Sequence, residues 1–456
     1  MAQRLVLLYV TVKYCAVKQS DSQMTISSTS NFMTEPVLEF SPTVKPENRN
    51  VKESDVLARL LMRIERPYYK SNIHNTRAIE SFIKQINAGI PNPDSRLSFR
   101  HIVNKYGYEC ERHEVLTKDG YLLTMFRIPG DGPPVFLMHG LLGSADDFIL
   151  AGPDSALAYL LSREKYDVWL GNARGNKYCR RHNFLNTSEA LFWNFSWHEI
   201  GIYDLPAMID YVLGTTNRTT LIFIGYSQGS TSFFVMASEK PEYNRKISLM
   251  IALSPATFMT RVRTPIIRLL ALGTSLLYEM SGNVGLYEFQ PSRKLEKMLR
   301  LLICGKGKVS QIICSNFIFL IAGVNPLQLN VSNLPVIFSH FPSGASMKQL
   351  THYAQGLLYE DFKKFDHGSM ENLERYGEIV PPSYTLENVV TPISLFCSES
   401  DWLSDAKDVE ILSYKLKNMV DIYRVPNDGF THADFIIAND VKTLVYARLL
   451  KVLTRF

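Results

Sequence analysis

A serine flanked by two glycines, in Gly225-Tyr226-Ser227-Gln228-Gly229, is where this chain first offers chemistry. A serine hydroxyl is a poor nucleophile until a base takes its proton, and the base needs a carboxylate to orient it and balance its charge. Gly-x-Ser-x-Gly supplies the nucleophile when it forms a sharp turn from a strand into a helix, because the strained backbone lifts the hydroxyl clear and the glycines allow close packing. The flanks suit that turn. Residues 220–224 read as a buried strand, and the apolar run 231–237 is compatible with a helix. Five residues of this kind also arise by chance in ordinary strand-turn-helix connections, so an acid and a base must be found elsewhere.

In hydrolases built this way the acid and the histidine follow the serine, in that order, each on a loop after a late strand. The apolar strand 392–397 is followed by Glu399, Asp401 and Asp405. Asp405 stands just before a helix starting at Ala406 and suits the capping of its first amides, with Asp408 favourable in the first turn. Asp401, nearer the strand end and beside Trp402, is therefore the expected acid. His432 is the expected base, since its loop, residues 426–435, follows the strand 421–425. The histidines at 101, 113, 139, 182 and 198 precede the serine, and those at 340, 352 and 367 fall in an inserted region. These read as hydrogen-bonded structural histidines.

Attack on an ester creates an oxyanion that two backbone amides must hold, and losing one such donor costs about 10²–10³ in rate. The amide of Gln228, directly after the nucleophile, is one expected donor. The Leu141 amide, in His139-Gly140-Leu141-Leu142-Gly143 after an early strand, is the other. Metal-assisted hydrolysis is disfavoured, because neither His-Glu-x-x-His nor Cys-x-x-Cys occurs.

An alternation of strands and helices has to position these groups. Residues 114–128 look like two strands around an Asp-Gly turn. Strands follow at 134–139, 166–170 and 248–253, with helices at 154–162 and 203–213; near the end, strands at 391–397 and 421–425 alternate with helices at 406–418 and 441–454. This pattern predicts a mostly parallel sheet with helices on both faces. From about 257 to 384 the alternation stops, and that stretch reads as an inserted, largely helical cap. The expected core is thus residues 98–256 and 385–456.

Composition agrees with a large globular fold: 46% hydrophobic and 20% charged residues allow a sizeable core. A net charge of +5 without a run of Lys and Arg gives little support to nucleic-acid binding. No segment has the roughly 18 uninterrupted apolar residues of a membrane span. Residues 1–16 resemble a marginal signal peptide, with Arg4, an apolar run from Leu5 to Val12 and small residues at Cys15 and Ala16, interrupted by Lys13. Residues 17–97 read as a polar leader with an uncertain helical segment. Four Asn-x-Ser/Thr sequons, at Asn186, Asn194, Asn217 and Asn330, fit a secreted or luminal protein. Cys110, Cys179 and Cys397 read as free buried thiols. Cys304 and Cys314 are close in sequence, and a bond between them in an oxidising compartment would stabilise by about 2–3 kcal/mol.

Taken together, these segments resemble the acid lipases, the gastric and lysosomal group of the α/β-hydrolases. The resemblance runs from about residue 98 to the end, through Tyr106-Gly107-Tyr108, residues 114–129, His139-Gly140-Leu141-Leu142, Asp167-Val168-Trp169-Leu170-Gly171-Asn172-Ala173-Arg174-Gly175-Asn176, residues 192–197 and 203–211, Asp401-Trp402-Leu403-Ser404-Asp405, and His432-Ala433-Asp434-Phe435. It implies an α/β-hydrolase fold with a lid on the cap, acting on triacylglycerols or sterol esters at a lipid-water interface without metal or organic cofactor. It implies Ser227, Asp401 and His432 as the triad, Leu141 and Gln228 as oxyanion donors, a Cys304–Cys314 disulfide, and a secreted or lysosomal glycoprotein. The apolar stretch 264–278 is the candidate lid. An esterase for small soluble esters and a catalytically silent lipid-binding homologue are the competing readings.

Three departures from the family pattern stand out. Tyr226 occupies the elbow position where the family usually has histidine, Ser404 stands where alanine is usual, and Ser398-Glu399-Ser400 precedes the acid where glycine is more typical. A tuned pocket or pH optimum is expected from the first, and a stiffer or reshaped acid loop from the others.

Overall fold

The central strands are apolar at consecutive positions because helices cover both of their faces. A computed structural model describes residues 92–264, 267–268, 285, 287–289, 322–323, 325, 327–330 and 333–456. All of these belong to one structural unit, Leu57–Phe456. The expected signal peptide, the leader up to residue 91, the Cys304 and Cys314 pair and most of the candidate lid lie outside the described residues.

Strands β1 (Glu111–Leu116) and β2 (Tyr121–Ile128) form an antiparallel hairpin. Their Asp-Gly turn works because Gly120 adopts φ +98°, a left-handed value that costs glycine little. Next come β3 (Pro134–Met138), β4 (Asp167–Leu170), the short β5 (Arg181–His182), β6 (Leu221–Tyr226) and β7 (Ile247–Leu253). A two-stranded pair, β8 (Glu288–Phe289) and β9 (Ala345–Ser346), stands apart, and β10 (Ile393–Cys397) and β11 (Met419–Arg424) complete the set. The main sheet runs in the order β1-β2-β4-β3-β6-β7-β10-β11, with β5 on β2. From β4 to β11 neighbouring strands are parallel, as the strand-helix alternation predicts.

Successive side chains on a strand point to opposite faces. Phe136, Met138, Phe223 and Met250 therefore join one core cluster. There they meet Met208 and Ile209 of helix α1 (Leu205–Thr216) and Phe233 and Phe234 of α2 (Gln228–Glu239). Val135, Leu137, Ile222, Ile224 and Ile251 belong to the other cluster, with Leu160 and Leu161 of the helix Leu157–Arg163 and Leu449 and Val452 of the helix Ala447–Leu453. Such two-sided burial explains why these strands read as unbroken apolar runs.

The helix expected at 203–213 is preceded by a wider turn over Ile200–Asp204. Gly201 in this turn packs against α2, where a side chain would overlap Val235 at 2.7 Å from its Cβ. Within 257–384 the described residues hold three helices, α3 (Leu334–His340), α4 (Met347–Gly356) and α5 (Ser369–Tyr376), besides β8 and β9.

Candidate active site

The carboxyl ends of β3, β6, β7, β10 and β11 converge, and the residues that follow them build the site. In parallel α/β sheets this is the edge where ligands bind. Ser227 follows β6 with φ 51° and ψ −116°, outside the usual regions for a residue with a side chain. Such strain costs of order 1–3 kcal/mol and persists only where the surroundings fix it. Here the Ser227 amide donates to the Leu253 carbonyl at 2.9 Å, while the Ser227 carbonyl accepts from the amides of Ser230 and Thr231 at 3.0 and 3.2 Å. The glycines are required by contact. A Cβ at Gly225 would sit 2.7 Å from the Ser230 nitrogen, and one at Gly229 would sit 2.2 Å from the Met138 carbonyl oxygen.

The three residues expected to work together are brought together. His432 Nε2 lies 2.9 Å from Ser227 Oγ, and His432 Nδ1 lies 2.8 Å from Asp401 Oδ2. A carboxylate only accepts, so Nδ1 carries the proton and Nε2 is left free to take one from the serine. Asp401 is fully buried, and its other oxygen accepts from the amides of Leu403 and Ser404, each at 2.8 Å. The rejected acids serve elsewhere. Asp405 caps its helix through the Lys407 amide at 3.0 Å, and Glu399 is exposed and pairs with Arg424 at 2.6 Å.

The acid and base loops are also tied to one another. Ser398 Oγ donates to the Phe430 carbonyl at 2.6 Å, Ser400 to the Asp428 carbonyl, and Ser404 to the Pro255 carbonyl at 2.7 Å. The hydroxyls that depart from the family pattern are therefore the struts between β7, β10 and β11. Tyr226 acts on the same loop: its hydroxyl donates to the His432 carbonyl at 3.0 Å, and the two rings lie 5.2 Å apart. Burial raises its phenol well above the usual range, so it stays a donor.

The Gly140 turn lies against the elbow, where a Cβ on Gly140 would come 3.1 Å from both the Ser227 Cβ and the Tyr226 ring. His139 fixes this turn from behind. Its Nδ1 donates to the Gly140 carbonyl at 2.8 Å, while its Nε2 accepts from the Ala173 amide at 3.0 Å and from Asn176 at 3.2 Å. Complete burial lowers its pKa to about 4, keeping it in that neutral form. Gln228 is buried and its side chain accepts from Gln349 of α4 at 3.1 Å.

Ser254 is the residue the sequence reading missed. It follows β7 with φ 50°, is fully buried, and donates its hydroxyl to Asp401 Oδ2 while its oxygen lies 2.7 Å from His432 Nδ1. The signal was available in retrospect: a serine directly after the strand beside the elbow strand, at the same sheet edge. Two serines thus flank the imidazole, Ser227 on Nε2 and Ser254 on Nδ1.

The sequence matches two family models, the partial alpha/beta-hydrolase lipase region over residues 99–152 and the alpha/beta hydrolase fold over residues 133–271. It is 42% identical to Lipase 1 of Drosophila melanogaster over 368 residues, covering 79% of this chain and 80% of that one. The chain belongs to the acid lipase family of the α/β-hydrolases. Its acid lipase relatives include the gastric triacylglycerol lipase of Bos taurus, at 35% identity over 79% of this chain and 92% of that one. Another is the human lysosomal acid lipase/cholesteryl ester hydrolase, at 32% identity over 80% of this chain and 92% of that one. Among the described residues of this acid lipase no helix is long and apolar enough to cross a membrane.

Proposed function

We propose that the chain is a serine-dependent lipase that hydrolyses carboxylic esters of neutral lipids, triacylglycerols or sterol esters, through an acyl-enzyme. The observation that carries this reading is the hydrogen-bonded series Ser227, His432, Asp401 at the strained turn after β6. Ser227 Oγ attacks the ester carbonyl carbon as its proton passes to His432 Nε2. The imidazolium is held by Asp401 and then protonates the departing alcohol oxygen. Water then attacks the acyl-serine carbonyl carbon as its proton passes to His432, and the imidazolium returns that proton to Ser227 Oγ as the acyl bond breaks and the fatty acid leaves.

The oxyanion donors are the amides of Gln228 and Leu141. Gln228 is the first residue of α2, where helix amides lack intrahelical partners. The Gly140 carbonyl accepts from His139 and from the Gly143 amide at 3.0 Å, and in a trans peptide the Leu141 N–H points the opposite way. That geometry supports a donor facing away from His139.

The substrate class rests on the activities for which the gastric and lysosomal relatives are named. The same relatives support passage through the secretory route to the exterior or the lysosome. All four sequon asparagines, Asn186, Asn194, Asn217 and Asn330, are exposed, which is compatible with glycosylation. Residues 257–384 serve in this reading as a cap; most of the candidate lid and the Cys304 and Cys314 pair lie outside the described residues. Hydrolysis of emulsified long-chain triacylglycerols and sterol esters, compared with short soluble esters, tests the assignment. Loss of order 10⁴–10⁶-fold in Ser227→Ala is expected. A preference for dissolved short esters would favour the esterase reading, absence of hydrolysis by the intact protein would favour the silent homologue, and equal measurable rates for the two proteins would overturn the assignment.

A further inference from the structure

We infer that Ser254 is a positioning residue for the triad, the hydroxyl that contacts both the Asp401 carboxylate and the His432 ring and fixes one against the other. This rests on the hydrolase reading of the same site and extends it to a residue the sequence motif does not include.

The hydrogen-bond roles follow from the partners. Asp401 Oδ2 accepts from the Ser254 hydroxyl, which commits the only proton of Ser254. The Ser254 oxygen, 2.7 Å from His432 Nδ1, is left with lone pairs, so the Nδ1–H is shared between it and Asp401 Oδ2 at 2.8 Å. Ser254 thus closes a triangle with the acid and the base. A hydroxyl dipole oriented this way has its positive end on the carboxylate and its negative end on the imidazole N–H. The contact to the imidazole N–H grows stronger when His432 becomes an imidazolium, as it must in the transition state.

Backbone conformation supplies an independent reason. Ser254 holds φ 50° at the end of β7, a conformation that glycine adopts without strain and serine does not. Its amide donates to the Phe396 carbonyl at 2.8 Å, so the residue is locked in place by the neighbouring strand β10. A side chain at such a position is a cost to the fold unless the hydroxyl has work to do. Ser254 is not a second nucleophile. It is fully buried, it faces Nδ1 and not the free Nε2, and its proton is already held by the acid.

The other ionisable groups around the pair are Tyr226, Asp434 and Cys397, together with Arg263, whose guanidinium donates to the Asp401 backbone carbonyl at 2.8 Å. None of them changes in the test. Ser254→Gly and Ser254→Ala are compared with the intact protein and with Ser227→Ala, using lipid ester hydrolysis across pH and thermal unfolding. Ser254→Gly is expected to stay folded, because relaxing the strained φ offsets part of the lost hydrogen bond. Both Ser254 variants are expected to lose about tenfold or more in kcat, the value of one hydrogen bond to a charged group, with KM little changed. The acid limb of their kcat/KM profile is expected to move to lower pH, since the imidazolium has lost an acceptor. A folded Ser254→Gly with the intact protein's kcat and acid limb overturns the inference while leaving the hydrolase reading intact. Undiminished activity in Ser227→Ala would overturn the Ser227-dependent reading of the site, and this inference with it.

Discussion

The hydroxyl of Tyr226 donates to the backbone carbonyl of His432 across 3.0 Å, so the residue before Ser227 holds the loop of the proposed base. Because the same ring packs 3.1 Å from where a Gly140 side chain would begin, Tyr226 sits between the base and the expected oxyanion turn. Tyr226→Phe keeps the ring and removes the tie. It is expected to cost about 1 kcal/mol in stability and to lower kcat more than it raises KM. Chemical denaturation and a kcat/KM split would check both effects.

Asp401 and Asp405 are four residues apart and have separate tasks. Asp401→Asn is expected to lose about 10⁴-fold in kcat, because an amide cannot hold His432 in the required tautomer. Asp405→Ala is expected to keep its activity and to lose about 1 kcal/mol of stability with the helix cap on Lys407. Parallel assays and melting curves for the two variants would distinguish a triad acid from a cap.

Asp147 predicts a pH dependence. It is buried beside Asp146, which is held charged by Lys177 and His340, and burial with that neighbouring charge raises the Asp147 pKa to about 8. The folded protein then binds this proton more tightly than the unfolded chain, where an aspartate titrates near 3.9. Its stabilising effect is complete below that unfolded value and is lost as pH rises towards 8. Asp147→Asn, which keeps the acceptor facing Ser144 and cannot ionise, is expected to flatten the loss. Urea midpoints of both proteins between pH 5 and 8 would reveal it as a gap that widens upward.

Arg174 is buried between Asp204 and Asp119 and lies in the Gly171–Asn176 stretch that carries the partners of His139. Arg174→Ala leaves the buried Asp204 and the partly exposed Asp119 without a countercharge. A loss of about 3–5 kcal/mol is expected. Calorimetry would measure it, and activity should fall with the folded fraction.

Much of this was legible in the chain. Two-sided burial makes the strands continuous apolar runs, so β3, β6, β7 and β10 announced themselves, and the loop after each late strand gave Asp401 and His432 by order. The hairpin was marked by Asp119-Gly120. What could not be read was side-chain traffic between loops distant in sequence. Ser254, Ser398 and Ser404 look like ordinary polar residues until the sheet brings their loops together. His139 was read as structural, and it is; its contact with the Gly140 carbonyl ties that structural role to the site.

One experiment tests the nucleophile most directly: covalent labelling with a long-chain alkyl fluorophosphonate, with the modified residue located by peptide mass spectrometry. A single adduct on Ser227 is expected, absent in Ser227→Ala and still formed, more slowly, in Ser254→Ala. An adduct on Ser254, or undiminished labelling in Ser227→Ala, would contradict the triad of Ser227, His432 and Asp401.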